Sequence, residues 1–447
     1  MVYILIQGGK NLLGTFRGGI HPYYGKEFSK DCLIETMPAP QTVYIPLLQH
    51  AGKPCEPIVQ VGDEVVRGQT IGKPVGNGAP IFASICGTVV AIESRPTATG
   101  RCQHIIINGN GKNDSIRLQP LDNPTPQEID DRIAECGIVG MGGAGFPTAS
   151  KLKPGGGIQR LIINGAECEP YITCDYRIML EYTEKFIDGV RLMMRSCGAN
   201  EGIIGVEDNK SDVIADLLAY VKEKNFTDIK VIGVATKYPQ GSDKQLIYAT
   251  TGLKIPKGVR SSSYGIAVNN VHTALDVYLA VKEGQPCYSR VMTVTGGGIA
   301  NPKNLWVSSG TLYKDIIEYC GGINQNNPPV KIVNGGPMMG KTVMNEDCSC
   351  TKTTSCLLFL TKDQCSTATP TACISCASCA GVCPMHLMPM YIEECTLAGD
   401  YDGAEKYGAN YCLECGCCAY VCPAHRQLVH SIRKAKSQLK AREKRNG

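Results

Sequence analysis

Two short cysteine runs limit what this chain can fold into more than any other feature. CISCASCAGVCP spans Cys373 to Pro384 and CLECGCCAYVCP spans Cys412 to Pro423. Each spaces its thiols as C-x2-C-x2-C-x3-C before a proline. Three cysteines on one tight loop reach three corners of a cubane, while the fourth is turned toward a different cube. The spacing therefore predicts two [4Fe–4S] clusters with crossed ligands. Cys373, Cys376, Cys379 and Cys422 would hold one cluster, and Cys412, Cys415, Cys418 and Cys383 the other. Crossing forces the clusters close together, which suits single-electron hopping. Zinc is the rival reading, but zinc sites offer C-x2-C pairs across a longer gap, not runs of three followed by Cys-Pro. Cys417 falls out of register and is expected not to be a ligand.

The chain carries 24 Cys in 447 residues, so sixteen lie outside the eight of the two runs. Disulfide frameworks belong to small secreted domains. This chain is long, and its start, MVYILIQGGKNLLGTF, has neither a preceding basic region nor a cleavage site. A reducing compartment is expected, with the scattered thiols acting as small buried hydrophobes. No run approaches the roughly 18 apolar residues of a membrane helix. The net charge of +4 is concentrated at one end: residues 426–447 hold eight Lys/Arg and one Glu. Such a tail fits contact with an acidic partner or lipid head groups, and equally a solvated terminal helix. It lacks the interleaved aromatics of a nucleic-acid surface.

Hydropathy patterning divides the chain into unlike parts. Residues 1–127 read as short β-branched strands punctuated by Gly and Pro. VGDEVVRGQTIG and ASICGTVVAIES within them resemble the halves of a barrel-sandwich hybrid, as in lipoyl and biotinyl carrier domains. Lys73 is not at an obvious hairpin tip, so a structural or docking role is expected rather than lipoylation. DNPTPQ reads as a linker and helix start. Residues 128–285 alternate strands (RLIING, EGIIGVED, IKVIGVAT) with helices (YRIMLEYTEKFIDGVRLMMRSCG, SDVIADLLAYVKEKN), the pattern of a helix-covered parallel sheet. Residues 286–345 turn β-rich around one helix, a small α+β unit. Residues 346–425 form the cysteine module, and 426–447 the basic tail.

GMGGAGFPTASK, Gly140 to Lys151, is a candidate ligand loop in the α/β region. Gly140, Gly142, Gly143 and Gly145 would let backbone N–H groups approach a phosphate or ring, and Lys151 could add charge. It is not a Walker loop, since G-x4-G-K-[ST] is absent. RLIINGAECEP brings Asn164, Glu167 and Glu169 to a strand's carboxyl end, where carboxylates bind ribityl or ribose hydroxyls. YPQGSDKQLI and AVNNVHT add Tyr238, Asp243, Lys244, Asn269 and Asn270. Each alone reads more readily as a surface polar residue or turn former, and only as a set flanking strand ends do they favour a site.

G-x-G-G-A-G-F-P-T-x-x-K, N-x-x-E-x-E-P and V-N-N-V together are similar to the flavin-bearing NADH-oxidising subunit of respiratory complex I and related hydrogenases. The chain departs from that family at Ala166, at Gly241-Ser242-Asp243-Lys244, and in ending with two cluster motifs. With TFRGGIHPYYGK, VGDEVVRGQTIG and VNGGPMMG added in order, nearly the whole chain resembles the C-subunit family of Rnf complexes. These exchange electrons between ferredoxin and NAD and couple this to Na+ or H+ translocation.

The resemblance implies a multidomain α/β and α+β protein. Its parts would be a barrel-sandwich hybrid, a Rossmann-like FMN and NAD(H) domain, a small β-grasp domain and a two-cluster ferredoxin-like helical module. It implies FMN near Gly140, Gly142, Gly143, Gly145, Lys151, Asn164, Glu167, Asn269 and Asn270. Phe146, Glu169, Tyr238 and Lys244 are candidates for NAD contact, and Asp243 lies in the same stretch. Membrane-embedded and iron–sulfur partner subunits are implied, with ferredoxin electrons arriving through a partner. The implied location is the cytoplasmic face of the cell membrane, peripheral, with no transmembrane segment. Two rival functions remain: a soluble flavin/iron–sulfur reductase such as a cobalamin reductase, and a non-catalytic cluster relay.

Overall fold

The computed structural model describes residues 6–7, 10–11, 13–153, 155–344, 346–366 and 368–446. The apolar start at residues 1–5 lies outside them, and with it the reading made there. Thr42–Pro46, Gly100–Gly109, Gly87–Thr97 and Glu64–Val65 pair in that order, facing a second sheet of Glu56–Pro57, Thr70–Lys73 and Ile81–Phe82. Val43, Ile45, Ile105 and Ile107 alternate inward with Ile71, Ile81 and Val89 to fill the space between the sheets. Lys73 is paired with Glu56 inside a strand.

The linker stretch ends where helix Pro126–Glu135 begins. Thr125 caps it, Glu128 completes a capping box, and Pro126 occupies the first turn. Beyond it lies a parallel sheet in the order Ile229–Val234, Glu201–Glu207, Arg160–Gly165, Ile266–Asn270. Leu161 and Ile163 point into one core and Ile162 into the opposite one. Burial on both faces explains why these strands read as unbroken apolar runs. The stretch expected as one long helix is two, Cys174–Glu181 and Thr183–Cys197. They break at Tyr182, whose hydroxyl accepts the Trp306 indole N–H at 3.0 Å. Thr183 Oγ1 also donates at the break, to the Met179 carbonyl at 2.7 Å.

The α+β unit holds a six-stranded sheet: Lys341–Thr342, Lys331–Asn334, Cys356–Leu360, Ser289–Thr295, Lys303–Ser308, Ile34–Thr36. Two expected divisions do not follow it. Ile34–Thr36 comes from within the first 127 residues, yet pairs parallel to Lys303–Ser308. Cys356–Leu360 lies past residue 345, yet runs fully buried between two strands of this sheet. Strand partners are chosen by edge and register, which composition does not carry. Cys348, Cys350 and Cys356 are buried as small apolar side chains.

The cysteine module consists of short helices closed by one long helix, Leu428–Asn446. The basic segment is thus no free tail. Leu428, Ile432, Ala435 and Leu439 are buried against the module. Arg433 and Lys436 both pair with Glu414, Arg442 with Asp402, and Arg426 with Glu393. The division drawn at residue 425 therefore cuts through one packed unit. Among the described residues no helix is long and apolar enough to cross a membrane.

Candidate functional site

The cysteine runs fold into two concavities, and each collects thiols from both runs. Cys383, Cys412, Cys415 and Cys418 line one, together with Cys417, and with Pro384, Leu387, Leu413 and Ile432 around them. Cys373, Cys376, Cys379 and Cys422 line the other, with Ile374, Met390 and Leu428. The structure thus brings together the two crossed sets the spacing predicts. Among the described residues no group of His, Cys, Asp or Glu converges as on a single metal ion. Four thiols around an apolar concavity fit a cubane better than a zinc ion.

The two loops repeat each other in detail. Ser375 and Ala377 in one, and Glu414 and Gly416 in the other, take left-handed backbone conformations. This curl turns amides inward. The Ser375 N–H donates to Cys373 Sγ at 3.4 Å and the Glu414 N–H to Cys412 Sγ at 3.3 Å. After the fourth cysteines, Leu387 N–H donates to Cys383 Sγ and Arg426 N–H to Cys422 Sγ, both at 3.4 Å. N–H donors at sulfur favour thiolate and stabilise added negative charge. His386 and His425 occupy matching left-handed positions. The repeat thus extends to C-P-x-H, a signal the sequence carries beyond the cysteine spacing. Cys417 is fully buried outside this pattern, its thiol 3.8 Å from the Tyr238 carbonyl oxygen.

The surroundings of the two sets differ. The Cys383 set is held against the α/β part: Tyr238 Oη donates to the Cys415 carbonyl at 2.8 Å, and Gln245 Nε2 to the Pro384 carbonyl at 3.1 Å. In the other set, Cys373 and Cys376 are exposed. The first is therefore the inner set and the second the outer.

The glycine-rich loop lies where the parallel strands end. Gly140 N–H bonds the Phe146 carbonyl at 2.9 Å and closes the loop. Gly142 and Gly143 are exposed, and so is Phe146. A Cβ on Gly142 would sit 2.8 Å from Asn270 Nδ2, whereas one on Gly143 would meet nothing within 4 Å. Gly145, with φ of 69°, packs on the barrel, and Ala51 N–H donates to its carbonyl at 3.0 Å. The β module, expected to have a structural or docking role, walls one side of this loop. Lys151 is half-buried on the short helix Thr148–Leu152.

The remaining expected residues divide by what they touch. Asn270 caps helix Val271–Lys282 and donates to Asp175 at 2.6 Å. Asn164 bridges to the Gly241 carbonyl at 2.7 Å. Asn269 is buried, and its amide nitrogen has no partner among the described residues. Asp243 is exposed in the first turn of helix Asp243–Thr251, and Lys244 donates to the Pro256 carbonyl. Tyr238 is only 1% exposed and faces the inner thiols. Glu167 accepts the Asp175 N–H at 2.7 Å, at the start of helix Cys174–Glu181. Glu169 accepts the Met338 and Met339 N–H groups at 3.2 and 2.9 Å. Burial pushes both carboxyls up to about 7, against the pull of Lys26 on Glu167 and of the two amides on Glu169.

Sequence reading passes over two residues here. Lys26 Nζ donates to the carbonyls of Glu167, Glu169 and Ile172 at 2.9, 3.2 and 2.6 Å, pinning the turn after strand Arg160–Gly165. Burial lowers its amine, while Glu167 opposes that shift. Gln240 is fully buried, with neither amide atom partnered among the described residues. It stands in YPQGSD, a neutral residue among charged and aromatic ones that signal more strongly. The unpartnered amide nitrogen of Asn269, next to the Asn270 that lies against Gly142, fits a polar ligand such as a flavin nucleotide at the glycine loop.

Comparison with known proteins accords with this geometry. The family model described as Nuo51 FMN-binding domain matches residues 133–279, the RnfC barrel sandwich hybrid domain 14–112, and the SLBB domain 291–342. A solved NAD+-reducing [NiFe]-hydrogenase in the H2-reduced state shares the fold at a TM-score of 0.51 and 16% identity. The match covers 70% of this chain and 63% of that one. The C subunit of the proton-translocating ferredoxin:NAD(+) oxidoreductase complex of Clostridium ljungdahlii is 42% identical over 386 residues, 85% of this chain and 83% of that protein. The C subunit of the Na(+)-translocating ferredoxin:NAD(+) oxidoreductase complex of Acetobacterium woodii is 42% identical over 441 residues, 97% of this chain and 98% of that protein. Likeness sustained across every module at that level means that the chain belongs to the C-subunit family of ion-translocating ferredoxin:NAD(+) oxidoreductase complexes.

Proposed function

We propose that this protein is the electron-transfer subunit of an ion-translocating ferredoxin:NAD oxidoreductase complex, binding FMN, NAD(H) and two [4Fe–4S] clusters. The observation that carries the reading is the pair of crossed thiol sets, one against the α/β domain and one open to solvent. FMN would supply conversion between the two-electron chemistry of NAD and the one-electron chemistry of clusters. The chain's own residues prepare the sites. The exposed Gly142 and Gly143 would offer backbone N–H groups, and Asn269 an unpaired amide nitrogen. Lys26 and the Met338–Met339 amides hold the turn carrying Glu167 and Glu169. Inward N–H groups place hydrogen-bond donors at the sulfurs of Cys373, Cys383, Cys412 and Cys422, which would hold the clusters.

With no membrane-crossing helix among the described residues, ion movement is assigned to partner subunits. The relatives named for Na+ and for protons are each 42% identical to this chain, so likeness to this subunit does not select the coupling ion. Attachment at the cytoplasmic face of the membrane, with ferredoxin electrons arriving through an iron–sulfur partner, completes the proposal.

The test is anaerobic addition of NADH to the reconstituted full-length chain, followed by flavin absorbance and EPR. Flavin bleaching with reduced-cluster signals is expected. Bound flavin that stays oxidised under NADH would remove the NAD assignment. In the same preparation, Cys422→Ser should remove the outer cluster alone and Cys383→Ser the inner alone. Loss in the opposite sense would overturn the crossed ligation.

A further inference from the structure

The segment Thr15–Lys26, TFRGGIHPYYGK, lies in neither the barrel nor the sheet that follows it. It passes along the seam between the α/β part and the inner thiols. Gly14 bridges to Val234 at the end of a parallel strand, and Ala235 N–H bonds the Gly14 carbonyl at 3.0 Å. Gly19 N–H then donates to the Val382 carbonyl at 2.8 Å, one residue before the ligand Cys383. Gly18, with φ of 90°, lies so close that an added Cβ would be 3.0 Å from the Cys383 carbonyl oxygen. Next, Ile20 and Tyr238 exchange both backbone hydrogen bonds at 2.9 Å. The buried Tyr238 hydroxyl reaches the Cys415 carbonyl at 2.8 Å.

The inner thiols come from two runs about thirty residues apart, Cys383 from one and Cys412, Cys415 and Cys418 from the other. One unit, Gly19–Ile20 paired with Tyr238, holds both. We propose that this pair is a clamp that fixes the two ligand segments of the inner cluster relative to each other, with Tyr238 as a positioning residue for that cluster. This deepens the proposed function and rests on its assignment of an inner [4Fe–4S] cluster. The outer set is tied differently, from within its own module: Thr371 N–H donates to the Ala424 carbonyl at 2.9 Å, and Arg426 donates to the Thr371 carbonyl at 3.2 Å.

The clamp also carries an electrostatic consequence. The Tyr238 O–H directs the positive end of its dipole at the peptide of a cluster ligand, in a site shielded from water. Hydrogen bonding and burial around a cluster set its potential. Removing that dipole disfavours the reduced, more negative state.

The test uses the full-length chain, anaerobically reconstituted, with both clusters followed by EPR-monitored redox titration. Tyr238→Phe keeps the ring and removes the hydroxyl. The expected result is a lower potential for the inner cluster, with the outer cluster and the flavin content unchanged. Gly18→Val pushes on the Val382–Cys383 carbonyls from the other side, and should weaken or abolish the inner signal alone. Two unshifted clusters in both variants, or equal shifts at both clusters, would overturn the clamp. A wild-type chain that takes up only one cluster would overturn the reading beneath it as well.

Discussion

Glu169 shows how a single residue's chemistry is set by neighbours that sequence does not reveal. Its carboxyl is buried beneath the Met338 and Met339 amides, and burial lifts it from 4.5 to about 7. A carboxyl whose folded-state value is raised contributes stability that is full below the unfolded value. That stability is lost as pH rises through the folded value. Glu169→Gln has no such titration. The melting-temperature difference between variant and wild type should therefore move in the variant's favour from pH 5 to pH 8, by up to about 3 kcal/mol when converted to free energy. Parallel melting curves across that range would show the carboxyl to be ionised throughout. The sequence placed Glu169 at a strand's carboxyl end, and the structure places it there. That both oxygens accept amides from a loop about 170 residues away depends on packing alone.

At the scale of elements, the helix Leu428–Asn446 is the one whose charge most obscures its role. Its lysines and arginines suggest a solvated or docking tail, but Leu428, Ile432, Ala435 and Leu439 recur at helical spacing and are buried. Ile432 is 1% exposed and lines the inner concavity. Ile432→Ala should destabilise the module by about 2–4 kcal/mol, read by chemical denaturation, and should speed loss of the inner cluster. Truncation after Ala441 removes none of these four buried side chains and should leave both clusters in place. The periodicity is present in the sequence, masked by the density of charge around it. The split of the expected long helix falls at Tyr182, whose hydroxyl meets Trp306, a residue remote in sequence.

At the scale of the molecule, the barrel is seated against the rest of the chain. Lys352 is 1% exposed and donates to the Pro80 and Gly137 carbonyls, both at 2.7 Å. Ser84 Oγ donates to the Ser309 carbonyl at 2.6 Å, and Tyr44 N–H to the Gly310 carbonyl at 2.8 Å. Lys352→Met would leave two buried carbonyls without a donor, at about 2–5 kcal/mol. The expected outcome is faster proteolysis in residues 110–124, between barrel and first helix, with the glycine loop more exposed. Unchanged proteolysis would mean that the other contacts hold the barrel alone.

Local spacing carries a good part of this protein. The two cysteine runs, the parallel strands, the helix start in DNPTPQ and the glycine loop all rest on residues near one another in the chain. Which segments share an edge or a site is set by tertiary packing. Ile34–Thr36 joins a distant sheet, Lys26 pins the turn beside the flavin-type loop, and Tyr238 faces a thiol site rather than an open crevice. The physical reason is that spacing along the chain fixes which atoms can reach one centre. Burial and pairing between distant segments depend instead on how whole surfaces fit, which no short stretch of residues contains.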